Sequence, residues 1–196
     1  MINILLKQCL SSIALIISIN KFKGESVLKK IFLNKNKTLI ELGYEFLVVC
    51  PHCASCAKVI ALDDPSPYIA NVRRRFICTA CGVIKNKVIK TNGYGQARVS
   101  YEPKANYEVI LAENPCDWYF QLPLYLQIEC SGNTLWALNL EHLNYIENYI
   151  EAELRESYPY YLSVESRLPK WMKLAKNRED VLKAIQKLKV KLNEKS

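Results

Sequence analysis

Five of the eight cysteines lie in two short segments of the chain, "CPHCASC" at residues 50–56 and "CTACG" at residues 78–82. Each segment contains a Cys-x-x-Cys pair, a spacing that places two thiols on the same side of a tight turn. A structural zinc site takes four tetrahedral ligands, and two such turns supply four thiolates. The sequence therefore predicts one structural Zn²⁺ bound by Cys50, Cys53, Cys78 and Cys81.

The first segment contains a third cysteine, so it offers two equally spaced pairs. Cys50 and Cys53 leave 24 residues before Cys78, whereas Cys53 and Cys56 leave 21, which is closer to the usual spacing of about 15–20. Cys50 ends a strand-like run, and Pro51 rigidifies the turn after it. These features favour Cys50 as the zinc ligand, and Cys56 remains the alternative ligand. His52 lies between the predicted ligands, and we expect it to point outward.

The predicted thiolate shell argues against catalysis at this site. A catalytic zinc keeps one position open for water or substrate, and four thiolates close it. A thioredoxin-type dithiol would open a helix after a strand, but strand-like residues follow both pairs. Elsewhere in the chain, Cys116 or Cys130 as nucleophile with His142 as base would be the alternative, a thiol enzyme. The sequence contains no glycine-rich phosphate loop. We therefore predict that the protein is not an enzyme.

The net charge of +8 predicts an anionic partner. Basic residues flank the second cysteine pair, and a lysine-rich tail adds a further cluster beside Trp171. Such groups bind phosphates without sequence preference, so we expect DNA or RNA binding. A solvated basic surface is the alternative. The residues predicted to contact nucleic acid are Arg73, Arg74, Arg75, Lys85, Lys87, Lys170 and Lys173, with the two flanking groups forming one patch.

Four strand-like runs enclose the cysteine pairs at residues 44–50, 57–62, 73–77 and 83–90. They are rich in β-branched and aromatic residues, and two prolines break the segment between the second and third runs. The order strand, pair, strand, loop, strand, pair, strand is typical of a zinc ribbon. Residues 44–90 are therefore predicted to form one.

The rest of the chain is divided by composition. We expect an N-terminal segment at 1–43 with a short helix within 26–42, a linker at 91–104, and an α+β domain at 105–196. That domain should contain a β-hairpin formed by residues 117–130 and 134–139, and two to three helices. The predicted helices run from Leu140 to about Glu156 after an Asn139 cap, and over two pieces capped by Ser166 and Asn177. In the first helix, Leu154 should lie on the apolar face, and Glu151 should pair with Arg155.

The N-terminal run at residues 1–20 is apolar but interrupted by Lys7, Gln8 and two serines. It is shorter than the ~20 apolar residues that cross a bilayer, and no small-residue cleavage pattern follows it. We expect a buried element there, with a membrane or export segment as the alternative. Clustered thiols are typical of reduced compartments, so the sequence predicts a cytoplasmic protein and not a membrane partner.

The pattern "CPHC…CTACG" resembles zinc ribbons of the transcription-factor-IIB type, over about residues 44–90. Ala54 departs from the glycine usual in the first turn. The run "LWALNLEHLNYIENYIEAELRE", followed by "SRLPKWMKLAKNRED", is similar to the tails of uncharacterised bacterial zinc-ribbon proteins. This second likeness supports a single architecture but implies no activity. The leading expectation, which rests on the basic residues, is a bacterial-type zinc-ribbon protein that binds nucleic acid in transcription or replication. The alternative is a protein-interaction adaptor that docks through the aromatic residues Trp118, Tyr119, Phe120 and Trp136.

Overall fold

The computed structural model describes residues 30–63, 71–90, 115–155, 160–161 and 163–194. It is an α+β structure, as predicted. Its strands are β1 (Ile31–Phe32), β2 (Glu45–Val49), β3 (Cys56–Ala61), β4 (Asn71–Ile77), β5 (Ile84–Lys90), β6 (Leu126–Cys130), β7 (Asn133–Ala137) and β8 (Leu154–Arg155). Its α-helices are α1 (Leu39–Leu42), α2 (Leu140–Glu151), α3 (Val164–Arg167), α4 (Lys170–Lys173) and α5 (Arg178–Asn193), with a 3-10 turn at Ala175–Asn177.

The four strand-like runs around the cysteines form one antiparallel sheet in the order β2-β3-β4-β5. Alternate residues of a strand lie on opposite faces. One face carries Phe46, Val59 and Phe76, which are all buried. The other face, which carries Lys58 and Ile84, is more exposed, so this sheet has one core side and one open side.

The buried face joins a single core with the C-terminal part of the chain. The Leu47 N–H donates to the Leu138 carbonyl at 2.7 Å, and the Tyr125 N–H donates to the Leu47 carbonyl at 2.8 Å. Behind them, the β6–β7 hairpin packs with α2 and α5, and Ile146 of α2 and Ile185 of α5 are buried. The cysteine-bearing sheet is thus braced by the hairpin and helices.

Asn139 links these two parts and begins α2. Its side-chain oxygen accepts from the His142 N–H at 2.9 Å, which is the predicted cap. Its amide nitrogen donates to the carbonyls of Leu42 and Glu45 at 2.7 and 2.8 Å. This one buried side chain therefore satisfies a helix terminus and the chain segment that enters β2.

His142 lies in the first turn of α2 and is only 2 % exposed. Its Nδ1 accepts from the Leu138 N–H at 3.2 Å, and its ring lies edge-on to Trp136. Burial lowers the pKa of His142 from 6.5 to about 4. The imidazole is therefore neutral in the folded protein and serves as a hydrogen-bond acceptor.

This buried imidazole makes stability depend on pH. Between pH about 6.5 and about 4 the unfolded chain binds a proton at His142 that the folded chain does not, so the stabilisation is complete above pH 6.5 and is lost as the pH falls. His142→Asn keeps an acceptor but removes the titration. Between pH 7 and pH 5 the wild type should lose about 2 kcal/mol more unfolding free energy than His142→Asn, as measured by urea denaturation. Equal losses in both proteins would contradict this role.

The helix predicted from Leu140 to about Glu156 ends earlier, at Glu151. Leu154 and Arg155 instead form β8, which pairs in parallel with β1, and Leu154 is 44 % exposed. The predicted Glu151–Arg155 pair is wrong, because Glu151 binds Lys30 and the Arg155 Nε donates to the Tyr149 carbonyl at 3.0 Å. Arg155 thereby caps a helix end that cannot continue once the chain has paired with β1.

Other element boundaries also differ. Ser163, not Ser166, caps α3, while Asn177 precedes α5 but makes no cap hydrogen bond. The amide of Asn177 instead donates to the Trp171 carbonyl at 2.8 Å. In the region predicted as a helix at 26–42, the described residues form β1 and the four-residue α1. The predicted first hairpin strand at 117–130 is a strand only from Leu126 onward.

Within the described ranges, no helix combines the length and apolar character that crossing a membrane requires. The apolar run at 1–20 and the linker predicted at 91–104 lie outside those ranges. The predictions made for these two segments therefore stay predictions.

Candidate metal centre

The two Cys-x-x-Cys turns have matching backbone hydrogen bonds. In the first, the Cys50 N–H donates to Ser55 and the Ala54 N–H donates to Cys50, both at 2.9 Å. In the second, the Cys78 N–H donates to Val83 and the Gly82 N–H donates to Cys78, again at 2.9 Å. Each turn closes on its own first cysteine, and each connects two adjacent antiparallel strands of the sheet.

These turns bring four sulfurs together. The Sγ atoms of Cys50, Cys53, Cys78 and Cys81 all lie within 4.8 Å of one another, so the group can hold a metal ion. Cys50 Sγ lies 3.7 Å from Cys81 Sγ, and Cys53 Sγ lies 3.5 Å from Cys78 Sγ. The first cysteine of each turn is buried and the second is exposed, so the group lies at the protein surface.

The remaining candidate for the first turn, Cys56, is not in this group of sulfurs. It is the first residue of β3 and pairs with Val49 across the ladder. Burial raises the pKa of its thiol above the ordinary value. His52, between the two cysteines of the first turn, is exposed, as expected. The geometry therefore brings together the Cys50 pair and not the Cys56 pair.

The electrostatics of the group favour a bound cation. The Ser55 backbone N–H and side chain lower the pKa of Cys53 to about 6, so this thiol ionises readily at neutral pH. The Val83 N–H also favours the Cys81 thiolate, but desolvation and the other three cysteines raise the pKa of Cys81 to about 12. Four adjacent thiolates repel one another, and a cation at their centre removes that repulsion.

The residue that follows the second cysteine of each turn adopts a left-handed backbone conformation. Gly82 has a φ of 73°, which glycine adopts without strain, and no atom lies within 4 Å of the position a Cβ would take. Ala54 has a φ of 56° at the equivalent position. The departure from glycine that the sequence showed at Ala54 is therefore a site of backbone strain in the first turn.

Ala54→Gly should relieve this strain and stabilise the protein by about 1 kcal/mol, because glycine reaches φ > 0 without a steric penalty. Thermal unfolding of the metal-loaded protein measures the change. The matched variant is Gly82→Ala, which introduces the same penalty in the second turn and should destabilise by about the same amount. A fall in stability on Ala54→Gly would show that Ala54 is not strained.

The register of β4 and β5 divides the basic residues near the second turn between two faces. Residues opposite each other in an antiparallel ladder share a face. Arg74 pairs with Lys87, whereas Arg75 pairs with Asn86 on the other side of the sheet. The single patch expected from Arg73, Arg75, Lys85 and Lys87 therefore does not form, since the arginines at 73 and 75 face away from both lysines.

The three consecutive arginines have three different environments. Arg73 is exposed and binds the Asp63 carboxylate through its side chain and its backbone N–H. Arg75 donates to the Asn86 side-chain oxygen at 2.8 Å. Arg74 is buried, and its guanidinium donates to the carbonyls of Gly43 and Tyr44, both at 3.1 Å. Arg74 therefore uses its guanidinium within the protein, and this burial argues against the phosphate contact that was predicted for it.

The lysines predicted to contact nucleic acid also differ in accessibility. Lys85 and Lys170 are exposed. Lys87 is exposed and donates to the Tyr119 carbonyl. Lys173 is partly buried and donates to the Ser166 carbonyl at 3.3 Å, and burial lowers its pKa. Of the exposed lysines in this predicted set, Lys87 donates to a protein carbonyl, whereas no hydrogen bond is described for Lys85 or Lys170.

The aromatic residues assigned to a docking surface pack largely inside the molecule. Trp118, Tyr119 and Phe120 form a turn against the core face of the sheet, and the Trp118 ring lies 5.0 Å from the Phe46 ring. Trp136 is likewise partly buried against the core. These residues attach the second half of the chain to the cysteine-bearing sheet.

Asp117, for which no role was predicted, organises this aromatic turn. Its carboxylate is fully buried and accepts from the backbone N–H groups of Tyr119, Phe120 and Leu122 at 2.7–2.8 Å. Burial raises its pKa despite these donors. An aspartate at the start of a turn is the sequence signal of an Asx-type turn. In such a turn the carboxylate accepts hydrogen bonds from the backbone N–H groups that follow it.

The residues considered for a thiol enzyme lack an activating environment. Burial raises the pKa of Cys116 and of Cys130, which favours the protonated thiol over the nucleophilic thiolate. The Nδ1 of His142 is occupied by the Leu138 N–H. The four-cysteine group is therefore the better candidate for a functional centre.

In comparisons with protein-family models, curated proteins and solved structures, this chain has no significant match. The chemistry of the centre is accordingly inferred from its own geometry. Four thiols from two matched turns, half of them buried, form a group that can hold a metal ion, and four thiolates would complete a tetrahedral shell.

Proposed function

We propose that the four-cysteine group binds one structural Zn²⁺ and that the surrounding sheet is a zinc ribbon. The observation that carries this proposal is the sulfur geometry. Tetrahedral Zn–S bonds of about 2.3 Å place the sulfurs about 3.8 Å apart. Two of the six sulfur separations are 3.7 Å, between Cys50 and Cys81, and 3.5 Å, between Cys53 and Cys78, and all six are within 4.8 Å. An all-thiolate donor set also suits zinc better than magnesium or calcium, which prefer oxygen.

The zinc would fix the two turns to each other at one end of the sheet. Cys50 and Cys78 would hold it from the core side, and Cys53 and Cys81 from the solvent side. Elemental analysis of the purified chain should find one zinc per chain. Substitution by Co²⁺ should give the thiolate-to-metal absorption of a tetrahedral site. A different metal in stoichiometric amount, or none, would contradict the assignment.

We further propose that the ribbon protein binds nucleic acid through its exposed cations. The chain carries a net charge of +8, and Lys85 and Lys170 are accessible. Arg73 and Arg75 face the open side of the sheet and can exchange Asp63 and Asn86 for phosphate oxygens. Contacts of this kind to phosphates confer affinity without sequence specificity. A cytoplasmic role in transcription or replication is the biological setting that we propose for this binding.

Fluorescence anisotropy with duplex and single-stranded oligonucleotides across a salt series tests this proposal. Binding should weaken steeply with salt, and each phosphate contact that is removed should reduce the log–log slope by about 0.7–0.9. Lys85→Ala with Lys170→Ala should therefore reduce the slope. The matched control is Lys30→Ala, since Lys30 is already paired with Glu151. Absence of binding at low salt would refute nucleic-acid binding and leave the zinc assignment unaffected.

A further inference from the structure

Within the part of the chain that the structure describes, strand β5 forms an edge of the ribbon sheet. Among the described residues it pairs with β4 alone, in the order β2-β3-β4-β5. The Cys78 N–H donates to the Val83 carbonyl, and the Arg73 carbonyl accepts from Leu62 on the β3 side. Because hydrogen-bonded and non-hydrogen-bonded pairs alternate in an antiparallel ladder, the peptide groups of Lys85 and Lys87 face β4. Those of Ile84, Asn86 and Val88 face outward.

The side chains along this edge are sorted by face. Ile84 and Val88, 59 % and 60 % exposed, share the open face with Asn86. Lys85 and Lys87 are exposed on the opposite face. The edge thus has outward peptide groups that can hydrogen-bond to a further strand. Apolar side chains lie on one face of this edge and cationic side chains on the other, and both can contact the added strand.

The same charges disfavour a second copy of this chain as the added strand. If β5 paired antiparallel with β5 of another copy about Asn86, Lys85 would lie directly opposite Lys87 of that copy on the same face. Like charges directly opposite each other destabilise a strand pair. Lysines on an edge strand are a common protection against such self-pairing.

We propose that the β5 edge is a docking site for an acidic extended peptide segment of a partner protein, which adds to the sheet as a fifth strand. Opposite residues share a face, so the partner needs apolar β-branched residues opposite Ile84 and Val88 and carboxylates opposite Lys85 and Lys87. A small polar residue fits opposite Asn86. The matching pattern is Val-Glu-Thr-Glu-Val, which reads the same in both strand directions.

The direct test is amide hydrogen exchange of the zinc-loaded full chain, followed by NMR, with and without a synthetic peptide centred on Val-Glu-Thr-Glu-Val. Saturating peptide should slow exchange of the Ile84, Asn86 and Val88 amides by about tenfold or more, since these N–H groups become hydrogen-bonded. A peptide with lysine in place of both glutamates should leave exchange unchanged. A scrambled peptide of the same composition should also have no effect.

Asn86→Pro tests whether the main chain of β5 makes the contact. Proline removes the outward N–H and leaves the bonds to β4 intact, because the Asn86 N–H does not face β4; proline is tolerated at such edge positions. The matched control is Asn86→Ala, which loses the same Arg75 contact but keeps the N–H. Asn86→Pro should weaken peptide binding by about tenfold relative to Asn86→Ala. Cobalt absorption and circular dichroism establish that both variants are folded.

Several outcomes would overturn this proposal. They are equal binding by Asn86→Pro and Asn86→Ala, equal binding of the lysine peptide, or strong protection of the three amides in the free monomeric chain. Protection that rises with protein concentration would reassign the edge to a second copy. Equal protection by an oligonucleotide would reassign it to nucleic acid. None of these results bears on metal content, so the zinc proposal is tested separately.

Discussion

Replacement of Cys78 by serine should abolish the proposed stoichiometric metal binding and unfold the cysteine-bearing sheet. Cys78 Sγ lies 3.5 Å from Cys53 Sγ, and the residue is 0 % exposed. Serine has nearly the same volume, so the loss of packing is small and the effect comes from the missing thiolate. Binding of structural zinc contributes about 10–16 kcal/mol in small zinc-binding peptides, most of which the variant forfeits. Elemental analysis and near-ultraviolet circular dichroism measure the two losses.

Cys56→Ser is the matched control for this prediction. Cys56 is partly buried and only a few residues from the centre, but its sulfur is not in the four-cysteine group. This variant should retain one metal per chain and lose at most about 1 kcal/mol of unfolding free energy. Metal loss in Cys56→Ser together with metal retention in Cys50→Ser would show that the first turn uses the Cys56 pair instead.

The cysteine turns could be foreseen because their geometry is local. Each hairpin turn spans a few residues, and the runs on either side contain the β-branched and aromatic residues that are typical of strands. The strain at Ala54 could also be anticipated, since the matching position in the second turn is Gly82. Bringing the two turns together needs only the antiparallel pairing of neighbouring strands.

The functions of the arginines could not be foreseen from the same pattern. Alternation in β4 shows that Arg74 faces away from Arg73 and Arg75, but not which face is covered. The face that carries Arg74 is covered by the turn at residues 118–120, which lies more than forty residues later in the chain. Likewise, Asn139 was predicted as a helix cap from local sequence, whereas its bonds to Leu42 and Glu45 depend on tertiary contact. Long-range contacts decide both cases.

Arg74→Ala should destabilise the folded protein by about 3 kcal/mol or more. The guanidinium donates to the carbonyls of Gly43 and Tyr44 and to the Tyr119 hydroxyl at 2.6 Å, and it lies 4.1 Å from the centre of the Tyr119 ring. Alanine removes the donor from one buried and two partly buried acceptors and opens a cavity between the sheet and the aromatic turn. Arg74→Lys should recover only part of the loss, because an ammonium group cannot reproduce the planar fork. Urea denaturation of the metal-loaded protein measures both variants.

Arg75→Ala is the control that separates the structural arginine from a phosphate-binding one. Arg75 lies on the open face and contacts only the Asn86 side chain among the bonds described for it, so its loss should change stability by no more than about 0.5 kcal/mol. If the proposed nucleic-acid binding holds, Arg75→Ala should reduce the salt slope, whereas folded Arg74→Lys should not, because its side chain points into the core face. The reverse pattern, with Arg74→Lys stable but weak in binding, would mean that the sheet opens at the aromatic turn to expose Arg74 to phosphate.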